Sequence, residues 1–111
     1  MTQTLDDEDN KLVVLARGAR ARAETASGAA VRDGDGRTYA GADVETRSLQ
    51  LTGLQVALAT ALGSGAGEFE AAVVVGGRAD DPGLATLHEI SPSAPLIVAD
   101  PSGAVVDRVE S

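Results

Sequence analysis

Ser48-Leu49-Gln50-Leu51-Thr52-Gly53-Leu54-Gln55-Val56-Ala57-Leu58-Ala59-Thr60-Ala61-Leu62 carries no acid, base, thiol or imidazole anywhere along its length. Thr52 and Gln55 stand in the T-x-x-Q spacing of a capping box, in which the hydroxyl and the amide each satisfy a backbone N–H that a helix start leaves unpaired. A helix therefore begins at Thr52-Gly53. The residues that follow are apolar all round, the composition of a helix buried on every side.

Buried strands flank this helix. Phe69-Glu70-Ala71-Ala72-Val73-Val74-Val75 and Leu96-Ile97-Val98 are near-continuous apolar runs of the kind covered on both faces. Upstream, Asp33-Gly34-Asp35-Gly36 joins two short strands in a hairpin, because Gly accepts the positive φ that such turns need. The same turn does not read as a calcium loop, since Arg37 occupies a ligand position and no glutamate closes the loop. Gly63-Ser64-Gly65-Ala66-Gly67 follows a helix and precedes a strand, the reverse of the order in a phosphate-cradling fingerprint.

An opening helix is expected after Asp9 or Asn10, with Leu12, Leu15, Ala16 and Ala19 on one face and residues 1–8 as an acidic tail. Arg17, Arg20 and Arg22 near its end complement the helix dipole. Asp81-Pro82-Gly83 opens a third helix running to about Ile90, with Asp81 as cap and Pro82 in its first position. Asp100-Pro101-Ser102-Gly103 has type I turn chemistry and returns the chain through Ala104-Val105-Val106 as a last strand. The order α-β-β-α-β-α-β-β describes an α/β domain over residues 9–111, with helices packed on a mixed sheet of about five strands. Its hairpin is antiparallel and its later strands are expected to run parallel.

The chain has 111 residues, enough for one domain that buries roughly two thirds of its unfolded surface. The only rings available to its core are Phe69 and Tyr39. A formal net charge of -8 repels phosphate backbones and anionic headgroups, so neither nucleic acid nor a membrane is an expected partner. The acidic N-terminus does not read as a signal peptide, and a cytoplasmic location is expected. The chain contains no cysteine, so thiolate metal sites are excluded.

Gly28-Ala29-Ala30-Val31, Asp35-Gly36, Tyr39, Gly41, Asp43-Val44-Glu45 and Ser48-Leu49 follow one another in an order that resembles the small homotetrameric-type cytidine deaminases. Leu87-His88-Glu89-Ile90-Ser91-Pro92-Ser93-Ala94-Pro95 also looks like the segment after that family's second metal motif. The resemblance runs from Leu12 to about Val106 and implies a three-layer α/β/α fold. It also implies a zinc ion held by three ligands where two helices begin, and a glutamate that shuttles protons to the pyrimidine.

The residues that would do this are replaced. Thr52 stands at the first ligand position, Leu54 at the glutamate, and Asp80 and Gly83 at the two cysteines. His88, the sole histidine, lies roughly 7 to 10 Å along its helix from the point where ligands converge. Asp80 and Asp81 offer oxygen alone, a poor set for zinc. Neither zinc nor any other cofactor is expected, no residue is assigned a catalytic or metal-binding role, and both helix starts read as ordinary caps.

The resemblance further implies that Asp43 and Glu45, two apart on a strand, face the ribose of a nucleoside. Three function classes follow. One is a non-catalytic protein acting by assembly, as a homo-oligomer or with an active deaminase. The second is a nucleoside or small-molecule binder using Asp43 and Glu45, and the third a zinc deaminase with unrecognised ligands.

Overall fold

The computed structural model describes residues 5–110. Its elements are α1 (Asp7–Ala23), β1 (Gly28–Asp33), β2 (Thr38–Ala42), β3 (Val44–Glu45), β4 (Gln50–Leu51), α2 (Gly53–Gly63), β5 (Phe69–Val75), α3 (Gly83–Ile90), β6 (Leu96–Ala99) and β7 (Val105–Val109). Five strands form one sheet in the order β2-β1-β5-β6-β7, and β3 pairs with β4 apart from it. α1 lies on one face of the sheet, α2 and α3 on the other, giving the expected α/β/α layers.

Alternation along the strands divides the core in two. Ala30, Ala71, Val73, Val75, Ile97 and Ala99 meet Leu12, Val13 and Ala16 of α1. Ala29, Val31, Ala72, Val74, Leu96 and Val98 meet Leu54, Ala57, Leu58 and Ala61 of α2 and Leu87 of α3. Because β1, β5 and β6 serve both layers, residues 28–31, 71–75 and 96–99 are continuously apolar rather than alternating. Among the described residues no helix is long and apolar enough to cross a membrane.

β5 and β6 run parallel, from Ala72 opposite Leu96 to Val75 opposite Ala99. β7 does not continue the parallel pattern: it returns antiparallel, with Leu96 opposite Val109. The turn before it dictates this, since a tight turn can join only antiparallel strands. Asp100 builds that turn by accepting the N–H groups of Ser102 at 2.9 Å and Ala104 at 3.1 Å.

The N-terminal boundary also differs from expectation. α1 starts at Asp7 because Asp6, not Asp9 or Asn10, is the cap and accepts the Asp9 N–H at 2.8 Å. Half-buried Leu5 packs on the α1 layer, so residues 5–8 belong to the domain; residues 1–4 of the expected tail lie outside the described residues. Asp9 turns inward to Arg32 at 3.1 Å, while Arg32 also reaches Glu70 at 2.9 Å. Burial alone would lower the Arg32 pKa, but the bonds to Glu70 and Asp9 outweigh it and raise it. Arg17 and Arg20 donate to the carbonyls of Pro101 and Ala26.

In the β1–β2 hairpin Asp33 is buried and organises the turn. One carboxylate oxygen accepts the N–H groups of Asp35 and Arg37, each at 2.9 Å, and the other accepts the Tyr39 hydroxyl at 3.2 Å. Burial would raise its pKa, yet these bonds and the Arg37 charge hold it below the usual carboxylate range. Its oxygens are therefore committed to the protein's own donors.

Candidate functional site

α2 reaches the sheet because three glycines let backbone meet backbone. A Cβ on Gly53 would lie 3.1 Å from both the Gly28 Cα and the Gly41 carbonyl oxygen, and one on Gly41 would lie 2.7 Å from the Ala57 nitrogen. Thr-Gly at the helix start thus has two separate causes. Gly53 permits the approach, and Thr52 completes the capping box: its hydroxyl accepts the Gln55 N–H at 3.2 Å, while the Gln55 side chain accepts the Thr52 N–H at 3.0 Å.

Asp43 supplies a second cap from outside the helix. Its Oδ1 accepts the Gly53 N–H at 2.8 Å and the Ser27 hydroxyl at 2.5 Å, and its Oδ2 accepts the Ser27 N–H at 3.0 Å. The chain breaks from the sheet at this residue, so Asp43 precedes β3 rather than lying within a strand with Glu45. Asp43 points into the junction of β1, β2 and α2, whereas Glu45 is exposed. The expected pair of carboxylates on one strand face is therefore corrected: both border the same cleft, but only Glu45 has oxygens without an intramolecular hydrogen bond among those described.

The starts of α2 and α3 do converge. Asp81 is 8% exposed, and its Oδ1 accepts the Thr52 hydroxyl at 2.8 Å together with the Gly83 N–H at 2.7 Å. Pro82 occupies the cap position and Gly83 the first helical one, a residue later than the spacing indicates, because Asp81 closes a turn ahead of the helix. Asp80, aligned with a ligand in the resemblance, points elsewhere: it is exposed and paired with Arg78 at 3.1 Å. Leu54 is fully buried and leans on Gly83, where an added Cβ would lie 2.7 Å from the leucine Cγ and 2.9 Å from its Cδ2. The two positions have complementary shapes.

An open cleft of about 890 Å³ lies outside this junction, bordered by Ser27, Asp43, Glu45, Thr52, Arg78 and Asp81 among others. The polar groups at its base bond one another. His88 is remote from them and donates through Nε2 to the Ala94 carbonyl at 3.0 Å. At the convergence the donors are one carboxylate and one hydroxyl already bonded together, and the described residues contain no group of three or more His, Cys, Asp or Glu side chains arranged to hold a metal. This set does not fit zinc, which takes three protein ligands and an open position for water in a reactive site.

Ser27 and the Thr52–Asp81 contact are the features that spacing does not reveal. Ser27 lies 16 residues from Asp43, and Thr52 lies 29 from Asp81. A hydroxyl in one element and a carboxylate in another give no local pattern.

The same architecture occurs in solved structures. A cytidine deaminase from Burkholderia pseudomallei superposes with a TM-score of 0.76 at 26% identity, over 90% of each chain. A cytidine deaminase from Mycobacterium tuberculosis gives 0.70 at 27% identity, over 87% of this chain and 88% of the other. One from Mycobacterium leprae gives 0.71 at 22%, over 91% and 93%, a likeness of fold. No curated protein matches the chain. The family model described as cytidine deaminase-like matches residues 5–103, from just before the cap of α1 into the turn after β6. With nearly the whole sequence matched and the helix convergence in place, the chain belongs to the cytidine deaminase-like family.

Proposed function

We propose that this cytidine deaminase-like protein does not deaminate through zinc and acts by assembly, with copies of itself or with an active deaminase. The observation that carries the first part is the Thr52–Asp81 hydrogen bond, with Leu54 packed on Gly83 beside it. The side chains at the two helix starts serve as caps and filling. Fully burying one leucine stabilises the fold by about 1.5 to 3 kcal/mol, a contribution that a proton-shuttling carboxylate there would forgo.

Assembly is supported by α2 itself. Its sequence, GLQVALATALG, contains no charged residue, in a chain that is 23% charged. Contrary to burial on every side, Ala59 and Thr60 are exposed and Val56 and Leu62 half-buried. An uncharged helix face left open in a single chain suits contact with another. Nucleoside binding through Asp43 and Glu45 has less support, because Asp43 already accepts from Ser27 and Gly53.

Metal analysis of protein purified with added zinc, paired with a cytidine deamination assay, tests the first part. The expected result is no stoichiometric zinc and no ammonia release; bound zinc with turnover overturns it. Light scattering during size exclusion tests the second, with a mass of at least two 11.2 kDa chains expected and a monomer at every concentration counting against it.

A further inference from the structure

We propose that the free edge of β2 joins a second copy of this chain, the strands pairing antiparallel about a two-fold axis at Ala40, so that the sheet continues from one copy into the other. This rests on the assembly reading and names its surface and partner.

β2 ends the sheet on one side and β7 on the other. The two edges are unlike. β7 carries Asp107 and Arg108, has a register shift against β6 between Val98 and Ala99, and pairs Arg108 with Glu110 at 2.6 Å. Charges and irregular register are the devices by which an edge resists added strands. β2, with the sequence TYAGA, has no charge, no proline and no shift along its pairing with β1.

Its backbone is also self-complementary. Asp33 N–H donates to the Arg37 carbonyl at 2.9 Å and Asp43 N–H to the Ser27 carbonyl at 3.2 Å, so odd-numbered residues turn their hydrogen-bonding groups toward β1. Antiparallel alternation then directs the N–H and C=O groups of Thr38, Ala40 and Ala42 outward. A two-fold axis at Ala40 sets Ala40 opposite its copy and Thr38 opposite Ala42. Every outward group meets a complementary one, and no like charges oppose within the strand. The same register brings Arg37 opposite Asp43 of the second copy, whose carboxylate is turned to Ser27 and Gly53, so no like charges meet at either end.

The surroundings match a chain partner. Val56 lies over Gly41 of β2, and the stripe from Val56 through Ala59 and Thr60 continues away from it without charge. On the other face Val14, 66% exposed, and Leu15 border a groove with Thr38, whose far wall carries Asp7, Glu8 and Lys11 of α1. Each copy carries a net charge of -8, so a stable contact between copies needs a strand free of charge, and β2 is one.

Absence of cysteine makes the test direct. Cα atoms in a hydrogen-bonded antiparallel pair stand about 5.5 Å apart, within the span of a disulfide. Ala40→Cys is expected to form a covalent dimer under mild oxidation, whereas Val106→Cys on the opposite edge stays uncrosslinked. Ala40→Pro removes only an outward N–H, a change that edge strands tolerate, and should shift the eluting species to the monomer with its circular dichroism retained. Thr38→Lys, at an exposed position, should do the same and covers the case in which the proline variant fails to fold. A wild-type chain that is monomeric throughout overturns both this inference and the self-assembly half of the assembly reading. An assembled wild-type chain whose Ala40→Cys variant does not crosslink, and whose Thr38→Lys variant stays assembled, overturns the β2 edge alone.

Discussion

Asp33 and Asp43 each gather backbone N–H groups, at opposite ends of β1 and β2, and they do so by different means. Asp33 binds within its own turn, to residues two and four positions ahead. Asp43 binds across the fold, to Ser27 at the start of β1 and Gly53 at the start of α2. The first arrangement fixes a loop. The second ties three elements together at the point where the resemblance calls for substrate and metal, and Asp81 repeats it between α2 and α3. A polar group in a family's reactive region can thus be wholly occupied in holding the scaffold.

Removing the long-range tie is the strongest way to break this contrast. Asp43→Ala leaves two backbone N–H groups and the Ser27 hydroxyl without their acceptor, and should cost about 3 kcal/mol in urea unfolding. A loss under half of that would mean that water replaces the carboxylate and that Asp43 is free to bind a ligand.

The Leu54–Gly83 contact sharpens the comparison next. Gly83→Cys forces a Cβ against the leucine and should cost about 2 kcal/mol by overpacking. In a Leu54→Ala background most of that penalty should vanish, because neighbours in contact do not contribute additively. Equal costs in both backgrounds would show that the two positions are not coupled.

The smallest effect concerns the local aspartate. The Asp33 pKa is lowered in the fold, so its contribution is present above the unfolded value of about 3.9 and is lost as pH falls through the lower folded value. Wild-type thermal stability should therefore fall more steeply than that of Asp33→Asn as acid is added below about pH 5. Parallel curves would show that Asp33 does not favour the folded state through its charge.

What could be read beforehand follows the same division between local and distant. The capping box at Thr52 and Gln55, the Asp-Gly turn and the apolar strands all depend on neighbours within a few residues, and each appears where its pattern indicated. Asp6, Asp7 and Asp9 are equivalent as caps by residue type, and the packing of Leu5 and the pull of Arg32 on Asp9 favour Asp6. β3 and β4 are two residues each, too short for any periodicity. Asp81, rather than Asp80, was identifiable as the buried carboxylate at the helix convergence only once α2 and α3 were seen side by side.

The meeting of Gly28, Gly41 and Gly53 bears on how relatives are recognised. Two of those glycines sit inside the short words that tie this sequence to the deaminases, and what they encode is clearance for a helix axis. Such a word reports how near a helix lies to the sheet and carries no information about a reaction beside it.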